Sequence, residues 1–320
     1  MPHRTRAEES QVTNLRLVFA GSPAAAVPSL KRIAASRHEI AAVLTRHPSP
    51  QGRKRVLTPT AVGAAAAELG VPTITSNRPG DDAAERITAL RPDLGVIVAY
   101  GAILRDPLLS VPRLGWINLH FSLLPRWRGA APVQRAIIAG DRLSGATVFQ
   151  LVPELDAGDV FGQFTQPVGG NETAGHLLSS LADGGAELLG RVIDAIAGGH
   201  ARAEPQEGDV TTAPKLTLDD GRVDWTAHAS TVHDLIRGVT PEPGAVTIVG
   251  GARLKLLETV IARDAAPQAP GRFHLDGRRL LVGTGSEPLE LVRVQPAGRN
   301  AMAASDWWRG RAADAGMIAE

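Results

Sequence analysis

The sequence predicts an α/β fold with a doubly wound, parallel sheet, followed by a smaller domain of short β-strands. Over the first half of the chain, short apolar runs alternate with amphipathic or alanine-rich stretches, as strands and helices alternate around a parallel sheet. After residue 218, short apolar segments follow one another with Gly and Pro between them, which is typical of a small β-barrel. The 320 residues are enough for two domains, each with its own core.

In the first domain, the strands are predicted from continuous apolar runs and the helices from the stretches between them. The predicted strands cover residues 15–20, 40–45, 95–99, 116–120 and 146–152. The predicted helices cover residues 24–36, 59–69, 132–139 and 173–198, the last one broken at Gly184 and Gly185. Ligands of such sheets bind beyond the carboxyl ends of the strands, which makes the end of segment 116–120 a candidate site.

The domain boundaries follow from composition. Residues 1–13 are polar and lack the apolar region of a signal peptide, so we assign them to a flexible extension before a domain over 14–203. Residues 204–217 are polar and contain two Pro, which indicates a linker. The second domain, 218–320, is predicted to begin with a helix over 230–238. Its predicted strands cover residues 245–249, 253–260, 271–274, 280–282 and 289–294.

Composition excludes several kinds of site. The chain has no Cys, so disulfides, Cys zinc sites and thiol nucleophiles are excluded, and the nine scattered His do not predict a metal. The net charge of +1 indicates that any nucleic-acid surface is local. No apolar run reaches the roughly 18–20 residues of a membrane helix. We therefore expect a cytoplasmic protein without membrane contact, and a monomer.

The most informative residues are Asn118, His120 and Asp156. Asn118 and His120 are two apart at the end of a predicted strand, so their side chains leave the same face. Asp156 follows on a loop flanked by Gly158. An amide donor, an imidazole and a carboxylate suit acyl transfer, in which a carbonyl becomes an oxyanion and a proton moves. Taken alone, Asn118 and His120 could equally form a hydrogen-bonded structural pair, and Asp156 could equally cap a turn.

Longer motifs add a family resemblance. The segment from Asn118 through Arg135 (NLHFSLLPRWRGAAPVQR) resembles the signature of the folate-dependent formyltransferases, most of all the branch that acts on methionyl-tRNA. Further segments of the chain, between about residues 15 and 312, are similar to that branch: Leu17–Pro23, Ala26–Leu30, Gln150–Val160, Ala213–Leu216, Gly221–Trp225, Gln295–Gly298 and Met302–Trp307. The resemblance implies a Rossmann-like catalytic domain and an OB-like barrel.

The resemblance also implies an activity and its residues. The formyl group of 10-formyltetrahydrofolate would pass to the α-amino group of methionine esterified to initiator tRNA, without a metal. Asn118, His120 and Asp156 would be catalytic. The turn that contacts the folate would be formed by Ser122, Leu123, Leu124 and Pro125.

A basic loop is the candidate tRNA site. Four basic residues and no acidic one lie between residues 40 and 67. Such a cluster is usually a solvated surface loop, but the resemblance implies that it grips the tRNA acceptor end. The residues concerned are Arg53, Lys54 and Arg55. In the C-terminal domain the Arg residues that could line an RNA-binding side are Arg272, Arg278, Arg279, Arg293, Arg299, Arg309 and Arg311.

Three departures from the family pattern stand out. Phe121 replaces a small residue, and strand alternation predicts that it packs behind the site. Ala24 and Ala25 replace an acidic and an aromatic residue after the first turn. The segment 240–246 lacks the aromatic residues common in the second domain.

Three alternatives compete with this interpretation. A formyltransferase with a small amine substrate would need neither the basic loop nor the barrel. A dinucleotide-binding oxidoreductase would carry G-x-G-x-x-G after its first strand, but the sequence there is Gly21-Ser22-Pro23, which argues against this class. A noncatalytic RNA-binding protein would not need Asn118, His120 and Asp156.

Overall fold

The computed structural model describes residues 14–52, 54–311 and 317–320, so the predicted N-terminal extension and Arg53 lie outside the described residues. The chain divides into two compact units. The first comprises the described residues through Arg128 with 145–165 and 179–211, and the second comprises 129–144, 166–178 and the described residues from 212 onward. The boundaries predicted from composition stay a prediction.

The strands are β1 (Arg16–Gly21), β2 (Glu39–Thr45), β3 (Ser49–Gln51), β4 (Val56–Thr58), β5 (Thr73–Thr75), β6 (Leu94–Val98), β7 (Trp116–His120), β8 (Arg128–Gly129), β9 (Leu143–Gln150), β10 (Val160–Pro167), β11 (Thr212–Ala213), β12 (Ala245–Val249), β13 (Ala252–Ile261), β14 (Phe273–Asp276), β15 (Arg279–Val282), β16 (Leu289–Pro296) and β17 (Met302–Ala303). The helices are α1 (Val27–Ala34), α2 (Ala61–Glu68), α3 (Asp81–Ala89), α4 (Pro132–Ile138), α5 (Ala174–Ala197), α6 (Ala229–Gly238) and α7 (Ala304–Arg309). Within the described ranges, none of these helices is both long and apolar enough to cross a lipid bilayer.

The first unit contains a seven-stranded sheet in the order β10-β9-β7-β6-β1-β2-β5. Strands β5, β2, β1, β6 and β7 run parallel, and β9 is antiparallel to β7. The predicted doubly wound α/β class is confirmed, with an antiparallel strand added beside β7. The strand order reverses between β1 and β6, which is where such sheets open a crevice for ligands.

Close packing in this unit depends on glycine. Trp116 is fully buried beside Gly95, where a Cβ atom would lie 2.1 Å from the indole ring. Helix α5 is continuous, so the predicted break at Gly184 and Gly185 is wrong. At Gly184 a Cβ would lie 2.7 Å from the ring of Phe164, so these glycines allow close packing instead of ending the helix.

The second unit contains an antiparallel sheet in the order β12-β13-β16-β15-β14, with β17 paired to β16. Helix α6 packs against β13 and α4. Ile318 and Ala319 form bridges to Arg272, which precedes β14, and to Val249 on β12. The chain end therefore joins the two edges of the sheet, as a small barrel requires.

Candidate active site

The carboxyl end of β7 presents an amide and an imidazole on one face. Asn118 pairs with Ile97 of β6 and Phe149 of β9, and His120 pairs with Thr147. Asn118 is half-buried, and its carboxamide makes no hydrogen bond within the part of the chain that the structure describes. Its N–H groups are therefore available to a ligand oxygen.

The ring of His120 is oriented by a backbone carbonyl. Its Nε2 lies 2.8 Å from the carbonyl oxygen of Trp127. A carbonyl can only accept a hydrogen bond, so Nε2 carries a proton and donates it. In the neutral ring the lone pair is then on Nδ1, which lies 3.8 Å from Oδ2 of Asp156. Asp156 is too distant for a direct hydrogen bond to Nδ1, so Trp127 and not Asp156 fixes the tautomer.

Two opposing effects set the protonation of His120. Burial lowers the pKa of His120 below its usual value of 6.5, while the Asp156 carboxylate and the Trp127 carbonyl act to raise it. The side chain of His120 is 7% exposed, which explains why burial dominates. A ring that is neutral at neutral pH can accept a proton on Nδ1, and the neighbouring carboxylate then stabilises the charge.

Asp156 lies on a short, closely packed loop. Its side chain is buried, and its backbone is in the left-handed region with φ of 48°, which is unfavourable for a residue other than Gly. Gly158 allows the loop to close, because a Cβ there would lie 1.8 Å from the carbonyl oxygen of Gln150. Holding a non-glycine residue at positive φ costs about 1 kcal/mol or more, and such strain is often found at functional sites.

The turn from Ser122 to Pro125 is held by its own hydrogen bonds. The Ser122 hydroxyl donates to the carbonyl of Arg126 at 2.7 Å, and the Thr147 hydroxyl donates to the carbonyl of Ser122 at 2.7 Å. Ser122, Leu124 and Pro125 are buried, and Leu123 lies against Gly145. Leu124 lines a cleft of about 590 Å³ whose other walls are Val160–Gln163, Arg202 and Glu204–Glu207.

The basic loop forms the tip of a hairpin. Strands β3 and β4 are antiparallel and pair Gln51 with Val56. Lys54 and Arg55 lie in the turn between them, both exposed, and neither makes an ion pair among the described residues. Leu57 on β4 is 67% exposed. The hairpin therefore exposes two cations and, two residues further on, an apolar side chain.

The site also contains residues that sequence reasoning missed. The carbonyl of Trp127 orients His120. Gln206 and Thr211, in the predicted linker, bond to the Asp156 loop and to Trp127. Polar residues between two prolines carry no local signal for such contacts. Phe121 is buried, and that it packs behind the site stays a prediction.

Comparison with known proteins identifies the family. The formyl transferase family model matches residues 15–193, and the model of the formyl transferase C-terminal domain matches residues 215–312. The methionyl-tRNA formyltransferase of Clavibacter sepedonicus is 61% identical over 297 residues, covering 92% of this chain and 97% of that protein. The proteins of the same name from Leifsonia xyli and Thermobifida fusca are 57% and 51% identical, covering 94% and 92% of this chain and 99% and 96% of those proteins.

Solved structures agree on the fold. The N-formyltransferase from Helicobacter canadensis, crystallised with folinic acid and dTDP-3-aminofucose, has a TM-score of 0.68 at 17% identity, covering 88% of this chain and 99% of that one. HypX from Aquifex aeolicus has a TM-score of 0.64 at 17% identity, covering 94% of this chain and 49% of that one. Both the matched models and the extent of the similarity to the relatives lead to one conclusion: the chain belongs to the formyl transferase family.

Proposed function

We propose that this chain transfers the formyl group of 10-formyltetrahydrofolate to the α-amino group of methionyl-initiator tRNA, giving N-formylmethionyl-tRNA and tetrahydrofolate. The observation that carries the proposal is the arrangement at the end of β7. Three groups come together there: an amide that makes no hydrogen bond among the described residues, an imidazole oriented by a carbonyl, and a carboxylate 3.8 Å from Nδ1. The tRNA substrate is supported by relatives of that name that match more than nine-tenths of the chain.

Each residue has a role in the reaction. The formyl carbon forms a bond to the amine nitrogen and loses its bond to N10 of the folate, while one proton leaves the amine and one reaches N10. Asn118 donates an N–H to the formyl oxygen as negative charge develops on it. Nδ1 of His120 accepts the proton of the amine and returns it to the departing nitrogen. Asp156 stabilises the imidazolium between these two steps.

The folate is proposed to contact the turn from Ser122 to Pro125. The support is Leu124, which lines the cleft of about 590 Å³. This volume is within the range of about 300–1,000 Å³ that small-molecule sites occupy. The hydroxyl of Ser122 is engaged within the protein, so an apolar contact through Leu124 is the interaction that we assign to the turn.

The tRNA is proposed to contact the hairpin tip and the second unit. Lys54 and Arg55 suit phosphate contacts, and Arg53 belongs to the same proposal from the sequence. In the second unit Arg279 is less suitable, because it forms ion pairs with Asp264 and Glu290. Some Arg residues there are exposed and make no ion pair among the described residues: Arg272, Arg278, Arg293 and Arg299. The cytoplasmic location, the monomeric state and the absence of a metal stay predictions.

A formyl-transfer assay tests the proposal. The purified protein is given 10-formyltetrahydrofolate with initiator methionyl-tRNA, and formylated product is measured against uncharged tRNA and free methionine. We expect formylated product only when methionyl-tRNA is the acceptor. Formylation of free methionine at a comparable kcat/KM would favour the small-amine alternative, and no product with any acceptor would refute formyl transfer.

The hairpin is tested separately. Replacing Lys54 and Arg55 by Ala should raise the KM for tRNA, weaken its dependence on salt concentration and leave the KM for folate unchanged, because phosphate contacts are electrostatic. Arg78, exposed and without an ion pair among the described residues, gives a matched charge-removal control, Arg78→Ala. Equal changes in both KM values would contradict a specific tRNA role.

A further inference from the structure

We propose that Gln206 and Thr211 are positioning residues, which hold Asp156 and His120 in the geometry that formyl transfer requires. Both residues belong to the passage predicted as a linker, 204–217. The proposal rests on the proposed function and adds a catalytic purpose to a segment whose composition indicates only a connection.

Gln206 fixes the loop that carries Asp156. Its Nε2 donates to the carbonyl oxygens of Asp156 at 2.8 Å and Gly158 at 2.9 Å. Its Oε1 accepts from Nη2 and Nε of Arg128 at 2.6 and 3.2 Å. The amide therefore uses both N–H groups and its oxygen, and the Arg128 donors determine which way it faces. Because one carbonyl is that of Asp156 itself and the other follows two residues later in the same turn, holding both fixes the backbone that carries the carboxylate.

Thr211 acts on His120 through Trp127. The Thr211 hydroxyl accepts a hydrogen bond from the Trp127 N–H at 2.9 Å, and the Thr211 carbonyl accepts one from the Arg128 N–H at 2.9 Å. Trp127 is also held at positive φ, 61°, and its carbonyl accepts the hydrogen bond that Nε2 of His120 donates. Gln206 and Thr211 thus each hold a residue with positive φ. Gln206 holds Asp156 on one side of the 3.8 Å gap between Nδ1 and Oδ2, and Thr211 holds Trp127, which orients His120, on the other.

Gln206 also lines the cleft assigned to the folate, so positioning is distinguished from folate contact by its effect on kcat rather than on the KM for folate. Gln206 is uncharged and bonds to backbone oxygens, so its removal takes away neither the base nor the carboxylate. Removing the side chain of Gln206 does, however, free the loop that carries Asp156 to move. A displacement of about 1 Å at a catalytic group can lower the rate by about 10²-fold. Asp156 is the charged group that faces His120, so its displacement also removes the interaction that favours protonated His120.

The test compares Gln206→Ala, Gln206→Glu and Thr211→Val with Asp209→Ala. Asp209 lies in the same segment, is exposed and makes no hydrogen bond or ion pair among the described residues. Gln206→Glu keeps the size of the side chain and its acceptor for Arg128 but loses both donors. For each variant, kcat per folded molecule, the KM for both substrates and the pH profile of kcat are measured. Wild-type protein in the same assay tests the proposed function itself.

We expect the two Gln206 variants to lose about 10- to 100-fold in kcat, and Thr211→Val about 10-fold, with KM values within about threefold of wild type. The acid limb of kcat in Gln206→Ala should move to lower pH, while Asp209→Ala should match wild type. If Gln206→Ala does not fold, Gln206→Glu decides. A loss confined to the KM for folate, an acid limb unmoved in Gln206→Ala or a kcat close to that of Asp209→Ala would overturn the proposal.

Discussion

Replacing Asp156 by Asn tests the proposed chemistry most directly. The substitution keeps the size and shape of the side chain and removes its charge. The carboxylate and the imidazole are both buried, with side chains 10% and 7% exposed, so water screens their interaction weakly. We expect the fold and folate binding to persist, and turnover to fall because the imidazolium formed during transfer loses its counter-charge.

The separation of the two groups gives the magnitude. Oδ2 of Asp156 lies 3.8 Å from Nδ1 of His120. With an effective dielectric constant of about 20, two unit charges at this distance attract each other by about 4 kcal/mol. Each 1.36 kcal/mol changes a rate by about tenfold, so full loss of this attraction lowers the rate by about 10³-fold. A proton that is only partly transferred in the transition state leaves less than a full charge on the imidazole. The expected loss of rate is then at least about 10²-fold.

Single-turnover formyl transfer measures this step apart from product release. The control is Asp159→Asn, which removes an exposed carboxylate three residues away. Folate affinity and the thermal midpoint are measured on both variants. A single-turnover rate for Asp156→Asn within about threefold of that for Asp159→Asn would refute electrostatic support of His120, since about 4 kcal/mol predicts a far larger loss.

Other substitutions test the remaining parts of the site and the second unit. Asn118→Ala removes the oxyanion donor, so kcat should fall by about 10²–10³-fold while the KM for folate changes little; an unchanged kcat would exclude the role. Gly158→Ala places a Cβ atom 1.8 Å from a backbone oxygen, so both kcat and the thermal midpoint should fall. Gly80→Ala, with no atom within 4 Å of its Cβ, should leave kcat unchanged and lower the thermal midpoint far less, by the small cost of Ala at the N-cap of α3. Burial lowers the pKa of His233 in the folded protein. Below about pH 6.5 the unfolded chain therefore binds a proton at His233 that the folded protein does not bind. The unfolding free energy then falls by up to about 1.4 kcal/mol per pH unit, until the pH reaches the pKa of His233 in the folded protein. In urea titrations between pH 7 and 5, His233→Gln should show a shallower decline than wild type, and parallel curves would contradict this assignment.

Local sequence patterns predict the parts of the fold that local physics determines. Strand β6 lies within one residue of where its apolar run predicts, because a strand buried on both faces needs apolar residues throughout. The predicted break in α5 is wrong because Gly184 and Gly185 pack closely against Phe164 and Leu119, which are distant in sequence. A helix tolerates such glycines when packing compensates for their low helix propensity of about 1 kcal/mol each.

The candidate site shows the same division. Asn118 and His120 could be paired from their spacing, because a strand places alternate residues on one face. The contact between Gln206 and Asp156 spans 50 positions, and the positive φ of Asp156 has no signature at a residue that is not Gly. Such features depend on the assembled fold, so neither composition nor periodicity predicts them.

The 3.8 Å separation between His120 and Asp156 suits a group that must both take and return a proton. Burial alone would make His120 a weak base, and a direct ion pair would hold the proton on the ring. Because the Trp127 carbonyl accepts the hydrogen bond of Nε2, Nδ1 carries the lone pair, and the carboxylate 3.8 Å away favours the charged ring without a direct hydrogen bond to it. A general base works best when its pKa lies near the working pH, and these two opposing effects adjust that of His120. The distance therefore bears on the rate, which is why Gln206 and Thr211, proposed to fix its two ends, are expected to affect kcat although neither supplies the base or the carboxylate.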